Sequence, residues 1–189
     1  AEANVAATLS LLGVDTRFVT VLPDNPVGDS CESALRSVGI DTSAISRKRA
    51  SRLGVYYVEH GANQRPTQVV YDRAGSAISM HRGNEYDWPS SLGNHEWFHV
   101  TGITPALSRE AAGATVHAVK QAKELGLTVS CDLNFRGKLW NWDKEKNKHD
   151  LARETMTQVL KHVDIIVGNE GDADDVLGFL YVKDLFRRN

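Results

Sequence analysis

The stretch from Thr128 to Trp140, T-V-S-C-D-L-N-F-R-G-K-L-W, constrains the fold most, because an apolar run passes without a break into closely spaced polar side chains. Val129 and Cys131 suit a strand covered by other structure. In an extended backbone Asp132, Asn134 and Arg136 fall at every second position and point to one side. Strands of open α/β sheets end in this way, and ligands bind in the crevice beyond their carboxyl ends. The plain alternative is a surface loop in which Asp132 and Arg136 are solvated or pair with each other.

The rest of the chain alternates helix and strand. Apolar residues recur at helical spacing in Val5, Leu9 and Leu12, and Gly13 closes that helix. A strand is expected at Arg17 to Leu22, then a turn through Pro23, Asp24, Asn25 and Pro26. An amphipathic helix from Val27 to Val38 follows, ended by Gly39. Trp97 to Val100 reads as strand, Ser108 as the N-cap of a helix reaching Leu125 with Gly126 as its stop, and Leu127 to Cys131 as the next strand. A helix from Lys148 to His162, a strand at Asp164 to Val167 and a short helix ending near Leu177 complete the series. This order is that of a parallel sheet with helices on both faces.

One segment breaks the rhythm. Leu53 to Glu59 and Thr67 to Asp72 are both strand-like and are joined by the turn-forming G-A-N-Q-R-P, which predicts an antiparallel hairpin. Tyr71 and Arg73 are two apart and share a face, and Tyr56 has the parity opposite Tyr57, so one face can offer two aromatics and a guanidinium. A hairpin whose tyrosines only pack is the plain alternative.

Composition excludes more than it selects. With 189 residues, 41% of them apolar, the chain can build a core that buries roughly 70% of its unfolded surface. A formal net charge of -2 supplies no bulk field for nucleic acid or a membrane surface, so neither is an expected partner. No apolar run approaches a membrane span, and the start of the chain lacks the layout of a signal peptide, so the expected compartment is the cytoplasm. Cys31 and Cys131 show no metal-ligand spacing and read as buried thiols. Trp88, Trp97, Trp140 and Trp142 read as packing residues, and the histidines show no ligand spacing. Lys144 to Lys148 reads as a solvated face. Neither a G-x-G-x-x-G nor a Walker lysine loop occurs.

Several of these segments together resemble the ribokinase-like, PfkB-type carbohydrate kinases. The opening A-E-A-N-V-A is similar to the start of the family's substrate-binding helix. L-L-G-V-D-T-R-F-V-T-V-L-P-D-N-P-V-G-D resembles the following helix, strand and turn, with Pro23 and Asp24 where members usually show a G-x-D. V-V-Y-D-R-A-G-S-A, T-G-I-T-P-A-L-S and D-L-N-F-R-G-K-L-W resemble the ketodeoxygluconate branch, and the combination is more specific than any one segment. The likeness runs from Ala1 to about Phe179, and the tail beyond it matches no family segment.

The resemblance implies a ribokinase-like three-layer α/β fold with a small β-sheet lid. It divides the chain into a partial core at 1–52 and 77–189 and a lid hairpin at 53–76. It implies transfer of the ATP γ-phosphoryl group, with Mg²⁺, to a hydroxyl of a small sugar acid, 2-keto-3-deoxygluconate. Tyr56, Tyr71 and Arg73 would contact the substrate from the lid, and Arg136 from the core, so that two guanidinium groups close on one carboxylate. Asn4 and the backbone at Ile103 would bind sugar oxygens. G-N-E-G-D resembles the family's Asn-x-x-Glu element, which assigns Asn169 to the nucleotide and Asp172, an Asp where the family has Glu, to water-mediated magnesium. Asn169 and Asp172 also fit a plain strand, turn and helix start. A homodimer through the lid is a further implication.

The family's catalytic Gly-Ala-Gly-Asp element is absent from these residues. The expectation is therefore an interior piece of a kinase, truncated at both ends and inactive alone. A second reading, from a different class, is a non-catalytic module that binds sugar acids or a partner.

Overall fold

The computed structural model describes residues 1–178 and resolves two compact units, Ala3–His81 and Ala1–Glu2 with Arg82 onward. α1 spans Glu2–Leu11, all but Glu2 in the first of these units, and stops as the repeat predicts, with Gly13 at φ +83. Its apolar stripe meets no core: α1 buries no residue, and Leu11 and Leu12 are each 73% exposed.

Strand β1, Thr20–Pro23, pairs in parallel with β2, Ile45–Lys48, through helix α2, Pro26–Ser37. Asn25 starts α2 by accepting the amides of Val27 and Gly28 at 3.1 Å, and Pro26 needs no partner in the first turn. The Arg47 guanidinium ties the βαβ unit together, pairing with Glu32 and, at 3.0 Å, with Asp29, both on α2, and donating to the Pro23 carbonyl of β1 at 3.0 Å. Burial pushes the Glu32 carboxyl up, but bonds from Arg47 and Thr42 prevail and hold it below the usual carboxylate range.

Two sequence expectations change here. β1 is shorter than Arg17 to Leu22, because Arg17 makes only a single bridge to Asp41, and that carboxyl is held at about 2 by the Ser43 amide and by Arg17. β2 was not anticipated, since I-S-R-K carries no apolar alternation; its pairing comes from β1 rather than from its own pattern.

The hairpin forms as expected, as β3, Val55–Glu59, against β4, Gln68–Asp72, antiparallel with Tyr56 opposite Tyr71. By its contacts it belongs to the Ala3–His81 unit. Most of its side chains are exposed.

After a single 3-10 turn at Gly83–Glu85, the second unit has the short helix α3, Trp88–Leu92, then β5, Trp97–Thr101, α4, Arg109–Glu124, β6, Thr128–Asp132, α5, Lys148–Leu160, β7, Ile165–Val167, and α6, Glu170–Leu177. The strands form a parallel three-stranded sheet in the order β5-β6-β7. Both crossover helices pack on each other and lie on one face, as consecutive right-handed crossovers require.

α4 presents Ala111, Ala114, Ala118, Val119 and Ala122 inward, small residues that let it sit close to the sheet. Beneath it Val129 and Cys131 are 0% exposed, as are Met156 and Val159 of α5. Each fully buried Val or Met of this layer contributes about 1.5–3 kcal/mol of transfer free energy. Burial pushes the Cys131 thiol up to about 12, so it stays a protonated packing group.

Cys31 and Trp97 depart from their expected burial. Cys31 is only half-buried, and Trp97 is 54% exposed although its Nε1 donates to Ser130 Oγ at 2.8 Å. Trp97, His99 and Ser130 share the sheet face opposite Phe98 and Val129, the side that α4 and α5 leave uncovered. Trp88 and Trp140 are buried as expected. Among the described residues no helix is long and apolar enough to cross a membrane.

Candidate functional site

The hairpin brings three expected residues together. Tyr56 and Tyr71 face each other across the ladder with ring centroids 6.4 Å apart. Arg73, two residues beyond Tyr71, lays its Cζ 4.8 Å from the Tyr71 centroid and 5.9 Å from that of Tyr56, within cation–π range of both. Among the described residues no carboxylate pairs with Arg73. The other arginines on the nearby strands and turns are neutralised: Arg49 by Asp24, Arg52 by Asp72 and Arg65 by Glu59. The result is a cation on an aromatic floor with no anion of its own.

Asn4 lies in the same unit, in the first turn of α1, where its carbonyl accepts the Thr8 hydroxyl and its side chain is exposed.

Ile103, Arg136, Asn169 and Asp172 belong to the other unit, around the carboxyl ends of β5, β6 and β7. The turn after β5 is held by a carboxylate that sequence reading missed. Glu2 Oε1 accepts the hydroxyls of Thr101 and Thr104, both at 2.9 Å, and Thr101 Oγ1 in turn accepts the Ile103 amide at 3.2 Å. The Ile103 N–H is therefore already engaged, and its carbonyl accepts from Ala106 at 3.2 Å with one lone pair left over. Gly102 is required between them: a Cβ there would lie 2.1 Å from the Leu133 carbonyl oxygen.

Beyond β6 the expected alternation of Asp132, Asn134 and Arg136 is broken. Asn134 has φ +35, so the chain turns there and the three side chains do not project from one extended face. Asn134 Nδ2 instead reaches back to Asp132 at 3.3 Å. Arg136 is exposed, donates to the Phe135 carbonyl at 3.2 Å and has no carboxylate partner among the described residues. The loop that carries it is anchored on both sides. Phe135 stacks on His149 with ring centroids 5.3 Å apart, and its amide donates to Asp172 Oδ1 at 3.0 Å.

Asn169 and Asp172 form a capping box at the start of α6. Asn169 Oδ1 accepts the Asp172 amide at 2.9 Å, and Asp172 Oδ2 accepts the Asn169 amide at 3.3 Å. Both oxygens of Asp172 thus already hold backbone N–H groups. No cluster of three or more metal-ligating side chains exists among the described residues. The donor set does not by itself fit a protein-held magnesium ion, which prefers near-octahedral oxygen ligation.

The described residues thus combine a parallel α/β sheet whose strand ends carry tightly held turns with a two-stranded hairpin bearing an arginine that no carboxylate pairs, and in α/β sheets of this kind ligands bind beyond the strand ends. The family model for pfkB family carbohydrate kinases matches residues 1–185, and the chain belongs to that family. The match extends past Phe179, where the sequence reading lost the likeness; residues 179–189 lie outside the described part.

The chain is 35% identical to the 2-dehydro-3-deoxygalactonokinase of Haloferax volcanii over 177 residues, covering 94% of this chain and 53% of that protein. It is 32% identical to the 2-dehydro-3-deoxygluconokinase of Bacillus subtilis over 142 residues, covering 74% of this chain and 43% of the relative. The crystal structure of the 2-dehydro-3-deoxygluconokinase of Thermotoga maritima superposes with a TM-score of 0.85 at 42% identity, covering 99% of this chain and 59% of that one. The chain spans about half the length of the curated relatives it matches.

Proposed function

We propose that the complete protein is an ATP-dependent kinase that phosphorylates a hydroxyl of a sugar acid, 2-keto-3-deoxygluconate or a close stereoisomer. The observation that carries this reading is Arg73, a half-buried guanidinium over two tyrosine rings with no carboxylate partner among the described residues. A ligand carboxylate supplies the missing anion through paired, charge-assisted hydrogen bonds. The relatives named above as kinases of 2-dehydro-3-deoxy sugar acids support the same substrate class.

In this reading Tyr56 and Tyr71 wall the substrate with apolar ring surface and offer phenolic donors, and Arg73 fixes the acid end. Arg136 supplies a second cation. Asn4 binds a sugar hydroxyl, and Ile103 acts through the free lone pair of its carbonyl oxygen. Asn169, whose amide NH₂ is not used in the capping box, faces the nucleotide. Holding the acid end orients the hydroxyl for transfer, which is where phosphoryl-transfer enzymes gain most of their rate. Asp172 serves first as a helix cap, and no step is assigned to magnesium here. No residue is assigned as base, because the Gly-Ala-Gly-Asp element is not among these 189 residues. Activity is accordingly expected of the complete protein and not of these 189 residues alone.

The opposite hairpin face supports pairing of two copies. Tyr57 and Val70 oppose each other across the ladder at 61% and 59% exposure, an apolar patch on a two-stranded sheet.

The test is a coupled ATPase assay of the complete protein with Mg²⁺ and a panel of sugar acids and neutral sugars. Phosphorylation of the keto-deoxy acid, and its weakening in Arg73→Ala, is expected; equal turnover of fructose and the acid by the parent protein rejects the acid assignment. The alternative reading, a non-catalytic sugar-acid-binding module, applies if the acid binds the complete protein yet no ATP is consumed.

A further inference from the structure

We propose that Arg52 is a positioning residue for Arg73, a clamp at the hairpin base that fixes the peptide units on both sides of the substrate-gripping arginine. The inference rests on the sugar-acid reading above and adds to it a residue outside the expected substrate contacts.

The geometry is specific. Arg52 places a two-pronged grip on the Asp72 carboxylate, with Nη1 at 2.6 Å from Oδ1 and Nη2 on Oδ2. The same Nη2 donates to the Asp72 carbonyl at 3.2 Å, and Nη1 donates to the Ala74 carbonyl at 3.0 Å. One guanidinium therefore binds the residue before Arg73 and the residue after it. Only the planar fork of arginine can make this set; a lysine ammonium is a single point donor.

Neighbouring features close the same frame. The Arg52 carbonyl accepts the Ala77 amide at 2.9 Å, and the Arg73 carbonyl accepts the Ser76 amide at 3.2 Å. Gly54 lets the two strands approach, since a Cβ there would lie 3.2 Å from Ser76 Cβ and 3.6 Å from Arg73 Cα.

The clamp matters because the hairpin has little packing to locate Arg73 otherwise. Its rotamers are limited by the rings of Tyr71 and Tyr56, and its backbone by Arg52. The pair with Asp72 holds that carboxylate on the strand face opposite Tyr71 and Arg73. Arg52 thus aims the gripping cation through the backbone on both sides of it. The guanidinium is 40% exposed, so its effect belongs to geometry at the site and not to global stability.

The experiment uses the complete protein with Arg52→Lys and Arg52→Ala, and Asp72→Ala as the partner change. Steady-state kinetics on the keto-deoxy acid and on a neutral sugar are combined with thermal unfolding and with NMR of the Arg73 Nε–H. With Cζ 4.8 and 5.9 Å from the two ring centroids, ring currents should shift that resonance upfield in the parent protein. The expected result for Arg52→Lys is a KM for the acid raised on the order of tenfold, with kcat and the neutral-sugar KM within about twofold. The Arg73 signal moves toward its free position while the melting temperature stays close to that of the parent protein. Asp72→Ala removes the carboxylate anchor but leaves Arg52 its bonds to the Asp72 and Ala74 carbonyls, so it raises the acid KM less than Arg52→Ala does.

An unchanged acid KM with an unshifted Arg73 resonance overturns the clamp, as does an equal loss on both sugars that tracks a lower melting temperature. If the parent protein phosphorylates no sugar acid, the functional reading fails on its own. The NMR arm still decides the clamp, because it reports the position of Arg73 without substrate.

Discussion

The α4–β6–α5 layer and the β3–β4 hairpin are built from opposite materials. In the layer, Val119, Val129, Met156 and Val159 are 0% exposed and the polar groups are few. In the hairpin, Tyr56 is 57% and Tyr57 61% exposed, and what holds it is a ladder of backbone bonds and the Arg52 fork. Stability therefore resides where side chains are apolar and covered, and ligand chemistry where an arginine is left unpaired on rings. A residue of the first kind should affect melting and leave substrate affinity alone; a residue of the second kind should do the reverse.

The most severe way to break that contrast is in the layer. Met156→Ala leaves a cavity beneath the sheet and should lower unfolding free energy by about 2–5 kcal/mol. Chemical denaturation should show this with the substrate KM of the remaining folded protein unchanged; a changed KM at full occupancy would mean that the layer also shapes the site. Next in size is Arg73→Ala. It should raise the KM for the sugar acid on the order of 10- to 100-fold, the worth of about one or two hydrogen bonds to charge. Its melting temperature should match the parent protein, and a large drop in melting would place Arg73 among the structural arginines instead.

A smaller effect sharpens the reading of α6. Asn169→Ala removes the cap from the Asp172 amide and should cost about 1 kcal/mol. If ATP affinity falls as well, Asn169 serves both helix and nucleotide; if only stability falls, it is a cap alone.

The smallest effect concerns pH. Burial lowers the pKa of His99, with Glu2 and Asp132 opposing, from an ordinary 6.5. The fold thus keeps this imidazole neutral. As pH drops below 6.5 the unfolded chain binds a proton that the folded chain resists, so stability is full above that value and declines beneath it. Urea midpoints at about pH 7.5 and about pH 5.5 should converge in His99→Gln; an unchanged slope would show that another group sets it.

Much of this architecture was legible beforehand for physical reasons that act locally. Ser108 accepts the Ala111 amide at 3.0 Å and opens α4, Gly126 ends the segment at φ +84, and Asn25 with Pro26 starts α2. The hairpin face was legible because strand parity fixes which side chains share a side, and Tyr56, Tyr71 and Arg73 do meet. What was hidden depends on contacts far apart in the chain or on a single backbone angle. Arg52 lies 20 residues before Asp72, and Glu2 lies 99 before Thr101, with no pattern to announce either bond. β2 forms only because β1 offers a partner. The turn at Asn134 defeats the alternation that β6 suggested, since one left-handed residue resets every side chain after it.

The account stands or falls on what Arg73 holds. The direct test is calorimetric titration of the complete protein, and of its Arg73→Ala variant, with 2-keto-3-deoxygluconate and with a neutral sugar of the same size. The account predicts that the parent protein binds the acid more tightly than the neutral sugar and that the variant loses this preference while still melting like the parent. Equal binding of both sugars by the parent protein, or an acid preference that survives the loss of the guanidinium, would contradict it.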